Sequence, residues 1–189
     1  RYTANADTTI TNAYKANLQT RATGSNMGLA DSLEVFHIYG QESSTSAENS
    51  RILIDFPVTT TITSDRSAGT IPASGSVSWF LRVHNVVHPG TLPRNYNMTI
   101  SAVSRSWGEG TGLDMEGYTD SGSCNWTSAA SSSGGVIAWT AAGGDYHAAA
   151  TGSTVYFDDG TEDIEIDISH LVEEWVKGQS GGAKGDIYG

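Results

Sequence analysis

From Val77 to His84 the side chains change character at every step. Val77, Trp79, Leu81 and Val83 fall on one side of an extended chain, and Ser78, Phe80, Arg82 and His84 on the other. A period of two marks a strand, because successive side chains of extended backbone point to opposite faces. The same period returns in short runs along the sequence, and no long helical pattern alternates with them as in a βαβ chain. The reading is an all-β, antiparallel fold.

The other runs fix the expected order. Ala6 to Ile10 is rich in β-branched residues and can seed a first strand. Leu33 to Ile38 alternates, with Leu33 and Val35 opposing Phe36 and Ile38. In Arg51 to Phe56, Ile52, Ile54 and Phe56 form a continuous apolar face, which predicts a core strand stopped by Pro57. Residues 59–75 are rich in Thr, Ser and Gly and read as a loop with partial strand character. A turn is expected at His88-Pro89-Gly90, and Asn97 to Ser104 alternates again. From 107 to 152 the period dissolves into Gly, Ser and Ala punctuated by Trp107, Trp126 and Trp139. A structureless loop of that length is improbable in a compact domain, so short turns and a strand near Val136 to Thr140 are expected.

After alternating runs at 154–157 and 164–168, Leu171, Val172, Trp175 and Val176 fall at helical spacing. Ser169 is placed to cap this helix, and Lys177-Gly178 supplies a cation and a terminating glycine. The expectation is one domain over 1–189, an antiparallel jelly-roll-type β-sandwich with one short C-terminal helix and a loop-rich excursion at 107–152.

Charge and cysteine content narrow the partners. The formal net charge is −11, with no basic cluster to offset it, so nucleic acid and anionic membranes are poor partners. No apolar stretch approaches the ~20 residues of a membrane span. Cys124 is the one cysteine and cannot form an internal disulfide. The chain begins at Arg1, without an initiator Met, which suggests a processed product or a piece of something larger.

Five groups of residues merit a chemical reading. Asp158, Asp159, Glu162 and Asp163, with Gly160 between them, offer hard oxygen ligands on a turn, as a structural calcium requires. Their spacing is not that of an EF-hand, and a solvated acidic turn is the plainer reading. Trp107, Trp126, Trp139 and Tyr146 are aromatics that either stack on a sugar or anchor the excursion. Glu165 and Asp167 share a strand face, about 6–7 Å apart, where a solvated face competes with a paired-carboxylate hydrolase site. His84 and His88 are four residues apart but flank no helix, and Ser169-His170 lacks the nucleophile elbow of a hydrolase. Two sequons, at Asn97 and Asn125, carry no meaning in a bacterial or viral source. No catalytic constellation and no cofactor other than calcium is expected.

A resemblance runs through Asp7 to Ile10, Asn26-Met27-Gly28, Arg51 to Phe56, Trp107-Gly108-Glu109-Gly110 and Ile164 to Gly178. In that order these residues resemble the DNRLRE-like jelly-roll domains of bacterial surface and secreted proteins. With Asn125-Trp126-Thr127 and Gly143-Gly144-Asp145-Tyr146 added, the series is similar to virion structural proteins of tailed phages, marine cyanophages in particular. The resemblance implies architectural roles: the Arg and Asp of the strand pair within the sheet, and the tryptophans plug its ends. Such domains continue into closing strands after the Trp…Gly helix, whereas this sequence stops at Gly189, so either the sandwich closes differently or the final strands are missing and an unpaired edge invites a strand from a neighbour. The function implied is a non-catalytic virion component, a capsid decoration or tail-associated protein, whose partners are other virion proteins or copies of itself. The alternative is a secreted, extracellular carbohydrate-binding or adhesin module that binds a cell-surface glycan.

Overall fold

The computed structural model describes residues 1–87, 90, 92–119, 123–132, 134–147, 153–178 and 187–189. Most of the regular structure is strand, arranged in several small antiparallel sheets, with two short helices. No helix among the described residues is long and apolar enough to cross a membrane. The chain divides into two compact units, one of residues 1–56, 103–146 and 188–189, the other of 57–102 and 147–187.

The first unit is built on a three-stranded sheet. Strand β1 (Ala6–Thr11) pairs with β4 (Ala47–Asp55) from Ala6 opposite Asp55 to Thr11 opposite Ser50. Strand β3 (His37–Tyr39) pairs with the other side of β4. Strand β2 (Ser25–Asn26) pairs with β7 (Asp114–Thr119) through an irregular register, and β8 (Ser128–Ser132) with β9 (Gly135–Ala138). Ile10, Leu53, Val103, Cys124, Trp126, Ala129 and Trp139 form its core, with Trp107 and Tyr188 packed against them.

The inward face of β4 differs from the one the sequence suggests. Leu53 enters the core, while Ile52, Ile54 and Phe56 are only half-buried. The cause lies beside Leu53: Arg51 lays its guanidinium over the Trp126 ring at 5.3 Å and donates to the Gly143 carbonyl at 2.6 Å. A cation with an aromatic partner and a hydrogen bond can sit at a core margin. The opposite face is covered in part by the chain before β3, where the Thr9 hydroxyl bonds the backbone of Glu34. The strand expected at 33–38 is correspondingly shorter and later, because Phe36 joins β4 only through Ser50.

In the second unit, β5 (Phe80–Val83) pairs with β11 (Ile164–Asp167), and β6 (Tyr96–Ile100) with β10 (Ser153–Phe157). The segment expected to be a loop holds a helix instead. A π-helical stretch, Val58–Ile62, runs into α1 (Thr63–Ser67). Val58 and Ile62 are buried, and the Thr63 hydroxyl donates to the Val58 carbonyl. The run of threonines disguises it, since β-branched residues disfavour helix, and tertiary burial overrides that propensity.

Helix α2 (Ser169–Gly178) matches its pattern, with Leu171, Val172 and Trp175 buried. Its start differs in detail from the expectation. The Ser169 hydroxyl accepts the Trp79 amide at 2.7 Å, and Asp167 Oδ1 accepts the Ser169 amide at 2.8 Å. Two helices thus stand where the sequence suggested one.

Candidate functional site

Three of the four aromatics proposed for sugar stacking belong to the interior of the first unit. Trp126 and Trp139 lie in the core, and Trp139 Nε1 donates to the Asn125 carbonyl at 2.8 Å. Trp107 packs on the same cluster and donates to the Tyr188 carbonyl at 2.9 Å. The buried rings of Trp126 and Trp139 present no flat face to a ligand, and Trp107 is partly buried. Tyr146 is the exception, half-exposed, with Arg51 5.5 Å from its ring. Arg51 therefore lies near both Trp126 and Tyr146, a pattern of guanidinium stacking that orders the loop at Gly143. Gly143 is needed there: its φ is +94°, and a Cβ would stand 2.9 Å from Trp126 Cζ2. Next to Tyr146, Asp145 accepts the amides of Thr140 and Ala141 and pairs with Arg105 at 2.8 Å. Burial opposes its charge, but these donors hold the carboxyl below its ordinary range.

The acidic turn of the second unit does not converge on a point. Glu162 Oε1 accepts the amides of Asp158 and Asp159, each at 2.7 Å. Asp163 accepts the Asn85 amide at 2.8 Å and faces His84 Nδ1 at 3.0 Å, and Asp159 stands 3.9 Å from Arg94. The Asp159 amide, foremost, holds Glu162 below its usual pKa, and the Asn85 amide does the same for Asp163. Among the described residues no three His, Cys, Asp or Glu side chains form a metal-binding group. Glu162 Oε1 and Asp163 thus bond amides that order the turn and its neighbour. A shallow hollow beside it is lined by Asn85, Val87, Leu92, Thr161 and Asp163. His88, proposed with His84, lies outside the described residues, as does Pro89. On the paired strands, Glu165 bridges to Arg82 at 2.9 Å and Asp167 caps α2, so the two carboxylates serve separate partners.

Two polar centres escaped the sequence reading. In the first unit, Asn26 is fully buried, and its Nδ2 donates to the carbonyls of Glu109 at 2.6 Å and Cys124 at 2.8 Å. Its Oδ1 accepts the amides of Gly28 at 2.9 Å and Gly112 at 3.0 Å. The glycines let backbone approach this side chain: a Cβ on Gly112 would lie 1.8 Å from the Asn26 carbonyl oxygen, and one on Gly28 2.4 Å from that of Glu109. Glu109 in turn accepts the Asp7 amide at 2.9 Å. Burial, and then the Glu109 charge, raises the Asp7 carboxyl. In the second unit, Arg66 of α1 donates twice to buried Glu173 of α2, which also accepts Trp79 Nε1 at 3.0 Å. These bonds, the Arg66 pair foremost, hold Glu173 at a pKa of about 2. A visible signal existed for the first centre, namely glycines clustered around Asn26 and Glu109. None existed for the second.

One surface feature is chemically open. In β3 the amide and carbonyl of Ile38 face Glu48 of β4, in phase with the bonds from Gly40 to Ser46 and from Ser50 to Phe36. The amides and carbonyls of His37 and Tyr39 therefore point away from the sheet, and all three residues of β3 are exposed.

No protein-family model matches the chain, no curated protein matches it, and no solved structure matches it.

Proposed function

We propose that this chain is a non-catalytic structural protein of a virus particle, a capsid decoration or tail-associated component built as a jelly-roll-type β-sandwich. The observation that carries the reading is the Asn26 centre. Asn26-Met27-Gly28 and Trp107-Gly108-Glu109-Gly110 are two of the stretches that resemble DNRLRE-like and phage virion domains, and Asn26 bonds directly to the backbone of Glu109. Side chains with chemical potential are engaged in holding loops together, as an architectural domain requires. Contacts with neighbouring subunits then come from its polar loops and open strand edges. Mass spectrometry of purified particles tests this. The chain is expected as a stoichiometric component, and its absence from the purified particles would overturn the reading.

Tyr146 favours a second reading, a secreted carbohydrate-binding or adhesin module, because its half-exposed ring is beside a guanidinium. Soluble glycans should then quench aromatic fluorescence, and Tyr146→Ala should abolish the response. A flat titration across a glycan panel removes this alternative.

A further inference from the structure

The outer edge of β3 unites three properties. It offers the amides and carbonyls of His37 and Tyr39, which point away from β4 and have no partner among the described residues, a short template onto which another extended chain can add. It is apolar at its side chains, with Ile38 38% and Tyr39 66% exposed and Val35 just before it 40% exposed. The sequence on either side of it is acidic. Residues 22–50 contain Asp31, Glu34, Glu42 and Glu48 and no Lys or Arg, and the first three of these carboxylates are exposed.

Of the common protections of an edge strand β3 has one, its length of three residues; it contains no proline, no lysine and no inward charge. The charge also selects among occupants. A second copy would bring the same carboxylates and the same net charge of −11 to the contact, and like charges across an interface are unfavourable. A basic segment meets the opposite field.

We propose that the β3 edge is a docking site for an extended, basic segment of a different protein, which pairs with His37 and Tyr39 as an added antiparallel or parallel strand. Its alternate side chains lie against Ile38 on one face and Tyr39 on the other, while its lysines or arginines meet the carboxylates that flank β3 in the sequence, Glu42 foremost. The inference rests on the reading that this chain works through contacts with other chains, and it names the chemistry of one such contact.

The test uses the whole chain and an end-capped octapeptide alternating lysine and valine, with hydrogen exchange of the backbone amides as the readout. Binding should slow exchange at His37 and Tyr39 by at least about tenfold. It should weaken by about tenfold on moving from low to moderately high salt, since screening acts on exposed charges. A peptide of the same side chains with N-methylated backbone amides should not bind. Equal binding by a glutamate–valine peptide would overturn the proposal. So would binding that leaves His37 and Tyr39 unchanged, or protection of these amides that rises with protein concentration alone, which would assign the edge to a second copy. Protection by the basic peptide in a protein absent from particles would keep the docking site and remove the virion reading. A particle component that shows no such protection would do the reverse.

Discussion

Arg66 holds Glu173 by two hydrogen bonds, from Nη1 to Oε2 at 3.1 Å and from Nη2 to Oε1 at 2.7 Å. Both side chains are largely withdrawn from water. The pair fastens a helix the sequence conceals to one it advertises, within the second unit. Removing one partner of such a pair leaves the other charge without compensation.

Glu173→Gln should therefore destabilise the protein by about 2–4 kcal/mol. Urea unfolding at neutral pH is the measurement, and an unchanged midpoint would show that the pair contributes nothing.

The same pair sets an acid response. The folded pKa of Glu173, about 2, lies below its ordinary value of 4.5. The contribution is present in full above about pH 4.5 and is lost as pH falls toward 2. Linkage puts the difference at about 3 kcal/mol. Stability of the native chain should fall across that window, and the Glu173→Gln variant should lack that part of the slope.

The Asn26 centre should tolerate little. Asn26→Asp replaces a donor with an anion opposite the carbonyls of Glu109 and Cys124, and should cost about 3 kcal/mol or more. Gly112→Ala should be at least as damaging, since its Cβ would collide with backbone rather than with a movable side chain. Thermal unfolding of both variants decides the matter, and near-native midpoints would contradict the packing described.

Calcium should leave the melting temperature where it is, and chelation should do the same. Glu162 is engaged by two amides and Asp163 by a third. A bound ion would raise the midpoint in proportion to the logarithm of its concentration, so a calcium-dependent rise would make the acidic turn a metal site.

Arg51→Met should cost about 1–2 kcal/mol through the lost stack on Trp126 and the lost bond to Gly143. Tryptophan emission should shift with it, and identical spectra and stability would argue against the stacking.

Legibility in the sequence followed locality. The buried face of α2 could be read from Leu171, Val172 and Trp175, because a helix meets its neighbours every three or four residues. The strands at 80–83 and 153–157 were visible for the analogous reason. The tryptophans of the excursion could be recognised as anchors, although their partners could not. What stayed hidden depends on pairs distant along the chain. Nothing near Arg51 announces Trp126, so the inward face of β4 was assigned to its isoleucines. Nothing near Thr59 to Thr63 announces Glu173, so a helix was taken for a loop. Asn26 resembles any turn asparagine until Glu109, Gly112 and Cys124 arrive around it.

The first unit draws on three separate stretches, and the last of them is very short. The Val103 amide donates to the Gly189 carbonyl at 2.7 Å, and the Tyr188 amide to the Val103 carbonyl at 2.9 Å. Trp107 completes that join through the Tyr188 carbonyl. During synthesis, then, the earliest strands of this unit must wait for residues 188 and 189 to emerge before their core is sealed. Its closure is a long-range event, of the kind that slows folding and prolongs exposure of unpaired edges.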